Sequence, residues 1–532
     1  MKKILVLILS VVLSVVSLAG CGSGSSNTTG KETDTQEAAT VAEENLSLAE
    51  QAIAERKESG NYPTIVMAFL NWTGAPSGTE RIQNLISAYT EEKLGIHVRL
   101  EILDSSSYSQ QMTLMLASGE QVDLFNAVYV GYSSSVNKGY CLDMEENDLI
   151  QTYGQGILDT MNDVYVNACR INGTLYGVPQ QRDMAIGMGG YVIAAEYLDG
   201  IGYDYASMYT EGSEFIQTTP EDIEEIFEKL HETYPNIYVF APQESFVRNS
   251  VVYDDIGGDV FGVLMDMNKL EVSNLYSSEA FKALCEKAYE WNQAGYISRD
   301  TLTDNTTGAA QVKAGTAMAY MSALKPGIAA QEAGIVGRDI VVFQTSENIM
   351  RSGAVASMPW CISSQSENQT AAMQFLELCY TDPYLSNLLC WGEEGVEYVK
   401  TEDGHITFAD GVDAQSTEWY NNVNWEMPNQ FIAEIWEGND LAIWDKMEKF
   451  NNEANVTKAL GFTFDNSSVT SEYSALKNVY DEYIYQLIYG FTNPETGIPE
   501  MINKLEVAGL QKYMDAKQTA LGEWEVSNKI SE

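Results

Sequence analysis

The chain has 532 residues, 45% of them hydrophobic, and a net charge of −46 from 30 basic and 76 acidic side chains. A length well beyond the ~250–300 residues at which a single core stops growing predicts two lobes or domains. So acidic a surface repels phosphate backbones and anionic headgroups, which argues against nucleic acid and direct lipid-surface partners and favours neutral ligands over acidic ones.

The chain opens with Lys2 and Lys3, an uncharged apolar run from Ile4 to Leu18, and small residues ending at Cys21. That is the n-region, h-region and cleavage site of a secretory signal, and the run is too short for a membrane span of ~20 residues. Leu18-Ala19-Gly20-Cys21 resembles the lipobox of bacterial lipoproteins, which implies removal of residues 1–20, acylation of Cys21 and attachment to the outer face of the cell membrane. Residues 22–40 are rich in Ser, Thr, Gly and Glu without apolar period, as a disordered tether is. An exposed helix is expected over 41–59, ended by Gly60, so that the tether region runs to residue 60 and the folded body starts at Tyr62. No second hydrophobic span follows, so the lipid is expected to be the only membrane contact.

Thr64 to Leu70 is a continuous apolar run, as in a strand buried on both faces. Ile82, Leu85, Ile86 and Tyr89 recur at helical spacing until Gly95, and Ile96, Val98, Leu100 and Ile102 then alternate with polar residues. This is a β-α-β unit, whose strands should be parallel. A helix from Gln110 to Ser118, stopped by Gly119, leads to a further strand over Val122–Val128. Thr219-Pro220-Glu221-Asp222 is a helix start with a cap, a first-turn Pro and acids, and Ile223, Ile226, Phe227 and Leu230 form its apolar face. From Ser471 the pattern is helical: Tyr473, Leu476, Tyr480, Tyr483 and Leu487 mark one helix, and Ile502, Leu505, Leu510 and Tyr513 another. Apart from Cys21, the cysteines (Cys141, Cys169, Cys285, Cys361, Cys379, Cys390) fit no C-x-x-C or zinc spacing. Their even number permits disulfides in an exported protein, but their apolar contexts read mainly as buried small hydrophobes.

Several segments together resemble the carbohydrate-binding, maltose-binding-like group of extracellular solute-binding proteins of bacterial ABC importers. Leu116-Ala-Ser-Gly-Glu-Gln-Val-Asp-Leu124 is similar to the family's LASGE-x-PDL segment, with Val122 at the usual Pro. Lys138-Gly139 to Leu142-Asp143 is similar to KG-x-L-x-x-L, Ile171 to Pro179 to NGKIYGVP, Lys313 to Ala319 to GKAAM, and Ile362 to Asp382 to the helix returning to the first lobe. Trp391 to Tyr398, Asp403 to Phe408 and Ala459 to Asp465 resemble a subfamily with its own C-terminal module. The resemblance implies an α/β, type II periplasmic-binding-protein-like fold: two lobes, a hinge, and a largely helical C-terminal region. It divides the body into lobe 1 (61–182), lobe 2 (183–357), a return to lobe 1 (358–395), and a module (396–532) packing mainly on lobe 2. It also implies an oligosaccharide ligand, the transmembrane subunits of an ABC permease as partner, a monomer, and no cofactor.

Ligands of such sheets lie outside the carboxyl ends of the strands, so the loops after Leu70, Val128 and Val178 should face the cleft. A sugar needs flat aromatics for its C–H face and planar polar groups for its hydroxyls. The candidates are Trp72, Asn126, Tyr129, Arg182, Asp183, Trp360, Trp391, Trp425 and Asn429. Packing competes at each: Trp72 and Trp391 as core, Arg182 and Asp183 as a bridge between lobes. No metal site is expected, because Asp143 to Asp148 lacks the spacing of an EF-hand loop. Only His97, His231 and His405 are present, each isolated, and no H-E-x-x-H, G-x-S-x-G or phosphate-cradling loop occurs. The chain is therefore read as a binder rather than an enzyme. The competing readings are a lipid-anchored glycoside hydrolase, which needs only two carboxylates ~5–9 Å apart, and a binder of a non-sugar solute such as a peptide.

Overall fold

The computed structural model describes residues 46–210, 212–419 and 423–528. Cys21 and the signal segment lie outside the described residues, and among those described no helix is long and apolar enough to cross a membrane. The helix Leu48–Ser59 begins on a reciprocal cap, Ser47 Oγ accepting from Glu50 N (3.2 Å) while the Glu50 carboxylate accepts from Ser47 N (2.8 Å). Toward its end, Arg56 Nε donates to Leu94 O (2.9 Å) and Nη2 to Gln374 Oε1 (2.5 Å). Arg56 thus packs on the body that follows.

The sheet strands are, in chain order, β1 (Thr64–Asn71), β2 (His97–Asp104), β3 (Leu124–Asn126), β4 (Gly190–Ala194), β5 (Ile216–Gln217), β6 (Tyr238–Phe240), β7 (Ala317–Met321), β8 (Ile340–Gln344) and β9 (Trp360–Ile362). Lobe 1 is built on the order β9-β3-β1-β2. β1 pairs with β2 in parallel from Thr64↔His97 to Asn71↔Asp104, as the β-α-β reading requires. Ile65 to Leu70 are wholly buried because helices cover both faces of this strand. The crossover helix Thr79–Leu94 stops at Gly95, whose φ of 67° is open to a residue without Cβ; its N–H returns to Glu91 O (3.1 Å) and that of Ile96 to Thr90 O (3.4 Å). Lobe 2 holds the mixed sheet β5-β8-β4-β7-β6, with β4 antiparallel to both neighbours. The helix Pro220–Thr233 packs on it through Ile223, Ile226, Phe227 and Leu230, starting on the Thr219–Asp222 capping box.

Three chain segments run between the lobes. The first is the crossover from Val178 to Ile186, and the second the return through Asn348–Met350 toward Trp360. The third comes from the C-terminal region, where Asn455–Val456 adds a parallel strand to Asn348–Met350. Asn451 fastens the first to the third: its Oδ1 accepts from Met184 N and Ala185 N (both 2.9 Å), and its Nδ2 donates to Arg182 O (2.7 Å).

The C-terminal region makes contacts with both lobes. Its earlier part lies on lobe 1, where Arg81 pairs with Glu397 and Gly78 N donates to Glu418 O (2.8 Å). From the helix Thr470–Ile488 onward it lies on lobe 2, where Asn292 Nδ2 donates to Tyr489 O (2.9 Å). The last helical stretch differs from expectation. Residues 494–527 form two helices, Pro494–Ala508 and Leu510–Ser527, because Gly509 takes φ 102° and turns the chain. All six described cysteines are free and buried, in keeping with their apolar contexts.

Lys517, on the last helix, has no solvent exposure and is ringed by oxygens. Its ammonium donates to Gly262 O (2.9 Å), Asp259 Oδ1 (3.0 Å) and Asp255 O (3.2 Å), with the rings of Phe464 and Tyr513 5.8 Å away. Burial pulls its pKa down, and Asp259 opposes that pull. Removing one partner of a buried pair strands the other, at about 3–5 kcal/mol. Lys517→Met is therefore expected to lower the urea midpoint by an amount equivalent to that range, whereas exposed Lys477→Met should shift it by less than about 1 kcal/mol. Unfolding followed by tryptophan emission checks this.

Candidate functional site

Between the lobes lies a cleft of about 820 Å³. Its walls come from Gly131 and the first turn of the helix Tyr132–Asn137 after β3, the crossover Arg182–Ile186, lobe 2 around Arg248, Asp255 and Lys325, the return segment at Arg351–Ser357, and Thr463–Asn466 of the C-terminal module. Ser133 Oγ and Thr463 Oγ1 share a hydrogen bond of 2.6 Å, joining lobe 1 to the module beside the cleft.

Acidic and basic side chains are paired here. Asp183 accepts from Lys325 Nζ (2.6 Å) and lies 3.7 Å from Arg182, while Asp255 pairs with Arg248 at 2.6 Å. Arg182 donates through Nη2 to Ala354 O (3.0 Å), and Arg351 through Nε to Tyr253 O and through Nη2 to Arg248 O (both 2.9 Å). The Arg351 guanidinium lies 5.1 Å over the Tyr253 ring. Burial lowers the pKa of both Arg182 and Arg351, though a guanidinium stays charged. Each retains one buried N–H without a protein acceptor, Arg182 Nε and Arg351 Nη1. A buried donor without a partner costs about 1–3 kcal/mol, so an acceptor that reaches it is bound correspondingly better.

The carboxyl edge of the lobe 1 sheet carries the aromatic candidates. Trp72, on the loop after β1, is 45% exposed, and its ring centroid lies 6.3 Å from that of half-buried Trp425. Tyr129, on the loop after β3, is 55% exposed and has φ 58°, a left-handed conformation uncommon outside glycine. The edge is roofed by the C-terminal chain at Glu426. Its backbone oxygen accepts from Trp360 Nε1 (2.7 Å) and Asn126 Nδ2 (3.5 Å), and its carboxyl Oε1 from Leu70 N (3.4 Å).

This roof alters the role expected of three candidates. Trp360 is wholly buried, so it anchors the covering segment and presents no ring face. Asn126 is also wholly buried, with Oδ1 accepting from Val128 N (2.9 Å) to close the turn after β3. Asn429 is 2% exposed and spends its amide on Tyr380 O and Phe431 N (2.8 and 2.9 Å). Asn126 and Trp360 lie at strand ends but beneath the surface, and Asn429 is buried on the covering segment, bridged to Gln181. Arg182 and Asp183 line the cleft, while Trp72 and Trp425 pair on the sheet edge. Half-buried Trp391 stands 5.5 Å from Trp436, its Nε1 donating to Glu434 O (3.0 Å). Sequence reasoning missed Arg248, Lys325, Arg351 and Asp255. The available signal was scarcity, since cations are few in so acidic a chain and a buried one needs a reason.

Burial raises the Glu426 carboxyl pKa well above the ordinary carboxylate value, with Leu70 N–H opposing, and its Oε2 has no hydrogen-bond partner. An acid whose pKa is higher in the folded state binds more protons folded than unfolded there, so its contribution falls as pH rises from the ordinary carboxylate range through the raised value. Glu426→Gln, neutral at every pH, is thus expected to gain on wild type as pH increases from 5 to 8. Thermal unfolding checks this, at roughly 1 °C per kcal/mol for a chain of this length. A difference in melting temperature independent of pH would contradict it.

Comparison with known proteins bears on this site. Residues 84–388 match a family described as bacterial extracellular solute-binding protein, and residues 458–526 a domain of unknown function, DUF3502. A carbohydrate ABC transporter substrate-binding protein of Streptococcus pneumoniae is 24% identical over 473 residues, covering 88% of this chain and 92% of its own. The crystal structure of the N-glycan transport solute-binding protein NgtS from the same organism superposes with a TM-score of 0.73 at 23% identity, over 87% of this chain and 99% of that one. Its complex with Man1GlcNAc gives 0.62, with the same identity and coverage. An extracellular solute-binding protein of Bifidobacterium longum subsp. infantis gives 0.58 at 14% identity, over 87% and 98%. These likenesses agree with the two-lobed solute-binding fold built above.

Proposed function

We propose a function from one premise: the chain belongs to the bacterial extracellular solute-binding protein family. It captures an oligosaccharide in the cleft between its lobes, closes on it by hinge motion and delivers it to the permease of an ABC importer. The observation that carries this reading is the pairing of Arg182 and Lys325 with Asp183 and of Arg248 with Asp255 in the cleft wall, with buried N–H groups of Arg182 and Arg351 still free to donate. Vicinal hydroxyls both donate and accept, so such a wall suits a neutral polyol better than an ion of either sign. Exposed Trp72 and Tyr129 on the sheet edge supply surfaces for the C–H faces of sugar rings. The N-glycan transport protein and its Man1GlcNAc complex lend weight to a glycan as ligand.

The protein binds without hydrolysing. Asp183 and Asp255 are each held in an ion pair rather than left to face a glycosidic oxygen. Calorimetry against a glycan panel is expected to give binding without turnover, and scattering a smaller radius of gyration with ligand. Trp72→Ala should weaken binding about tenfold, or 1.4 kcal/mol. Turnover at catalytic rates, or binding of peptide pools but no glycan, would sink this reading.

Acylation of Cys21 holds the protein at the outer face of the cell membrane, and the tether after it keeps captured ligand near the permease. Cys21→Ala is expected to move the protein from the membrane fraction to the medium and to abolish labelling by a fatty-acid probe. Retention of either the label or the membrane association would contradict the anchor.

A further inference from the structure

A second, smaller cavity of about 170 Å³ adjoins the cleft, and the two share Lys325 and Gln331 as wall residues. Its far wall is built by the C-terminal chain and carries three partly exposed tryptophans, Trp391, Trp436 and Trp444. Lobe 2 closes it at Gly327, where an added Cβ would come within 3.1 Å of Ile443 Cδ1.

The indoles are disposed as surfaces. Trp391 Nε1 and Trp444 Nε1 are spent on the backbone of the same segment, donating to Glu434 O (3.0 Å) and Ala433 O (2.7 Å). Their polar atoms are thus satisfied within the wall, and what the wall offers the cavity is ring. Trp436 is braced between Trp391 at 5.5 Å and Phe408 at 4.7 Å, and Trp444 is backed by Phe431, stacked at 5.6 Å. Bracing removes the entropy cost of ordering these rings when a ligand arrives. Against this apolar wall stands one polar atom without a partner: Gln430 Oε1, buried and unbonded, on a residue lining the same cavity. An amide oxygen in that state accepts from a hydroxyl at the desolvation cost already incurred. Packing alone accounts for neither three half-open indoles around a cavity nor an idle acceptor among them.

We infer that this tryptophan-lined cavity is a second sugar subsite, which takes one pyranose ring of an oligosaccharide whose other residues occupy the main cleft past Lys325. A pyranose has the matching chemistry, a C–H face for the indoles and a ring of hydroxyls for Gln430. The inference rests on the glycan reading above and adds to it a preference for chain length. Sugars confined to the cleft gain nothing from the cavity, whereas longer ones span both.

Calorimetry with a ladder of manno- and gluco-oligosaccharides, from disaccharide upward, tests it on the mature full-length chain. Wild type is expected to bind the longer members more tightly. Trp444→Ala and Trp436→Ala should each weaken those about tenfold and leave the disaccharide within twofold. Gln430→Leu changes little volume and should show the same selectivity more weakly, which covers the case in which a tryptophan variant does not fold. Equal loss at every length, or no loss at any, overturns the subsite while leaving the glycan reading intact. A wild-type chain that binds no member of the ladder, or binds peptide pools instead, overturns both.

Discussion

The architecture depends on how the carboxyl edge of the lobe 1 sheet is covered. Strands that end together leave buried donors pointing at the same place, and here Leu70 N, Asn126 Nδ2 and Trp360 Nε1 converge on Glu426. A buried donor left unmade costs about 1–3 kcal/mol, so the three together fix the covering segment firmly. Because Glu426 is held, Trp425 beside it is held, and through it the pairing with Trp72. One segment, distant in sequence, thus converts a sheet edge into a shaped surface.

The same stretch of chain goes on to make the hinge. A crossover of two strands would leave the lobes joined only by their own backbones. Here Asn451 ties the first crossover to the third, and Asn455–Val456 adds a strand to the second. Three segments therefore join the lobes, and the C-terminal region is part of that junction. Lys517 anchors the far end of that region in lobe 2, where carbonyl and carboxylate oxygens surround an ammonium as they would a bound cation.

Charge acts differently at two scales. Globally the protein is strongly acidic, which governs solubility and what approaches it from a distance. Locally, Arg182 and Lys325 flank Asp183 and Arg248 pairs with Asp255 at contact distance, so the cleft presents many directed donors and acceptors. Pairing inside the site orients these groups, and orientation is what a neutral ligand with many hydroxyls can use.

Much of the fold was legible in the sequence because local rules write it. The apolar run Thr64–Leu70 announced a strand buried on both faces, Gly95 and Gly119 marked helix ends, and Thr219 to Asp222 spelled out a capping box. Gly509 was passed over because one left-handed glycine leaves the apolar period on either side nearly intact. The candidate site was legible only as an address. Strand order and loop position led to Trp72, Tyr129, Asn126 and Trp360, but which of them face solvent turned on Glu426, some 300 residues away from Asn126. Arg248, Lys325 and Arg351 carry no local signature at all, since a cation's role depends on the carboxylates and carbonyls that tertiary contact brings to it. The sequence by itself determined the parallel β-α-β opening, the capped helices and the resemblance to a family, all properties of neighbours within a few turns of chain. Tertiary structure alone decided which aromatics are surface and which are anchor, and where the cleft lies, because burial depends on what the rest of the chain folds over a residue.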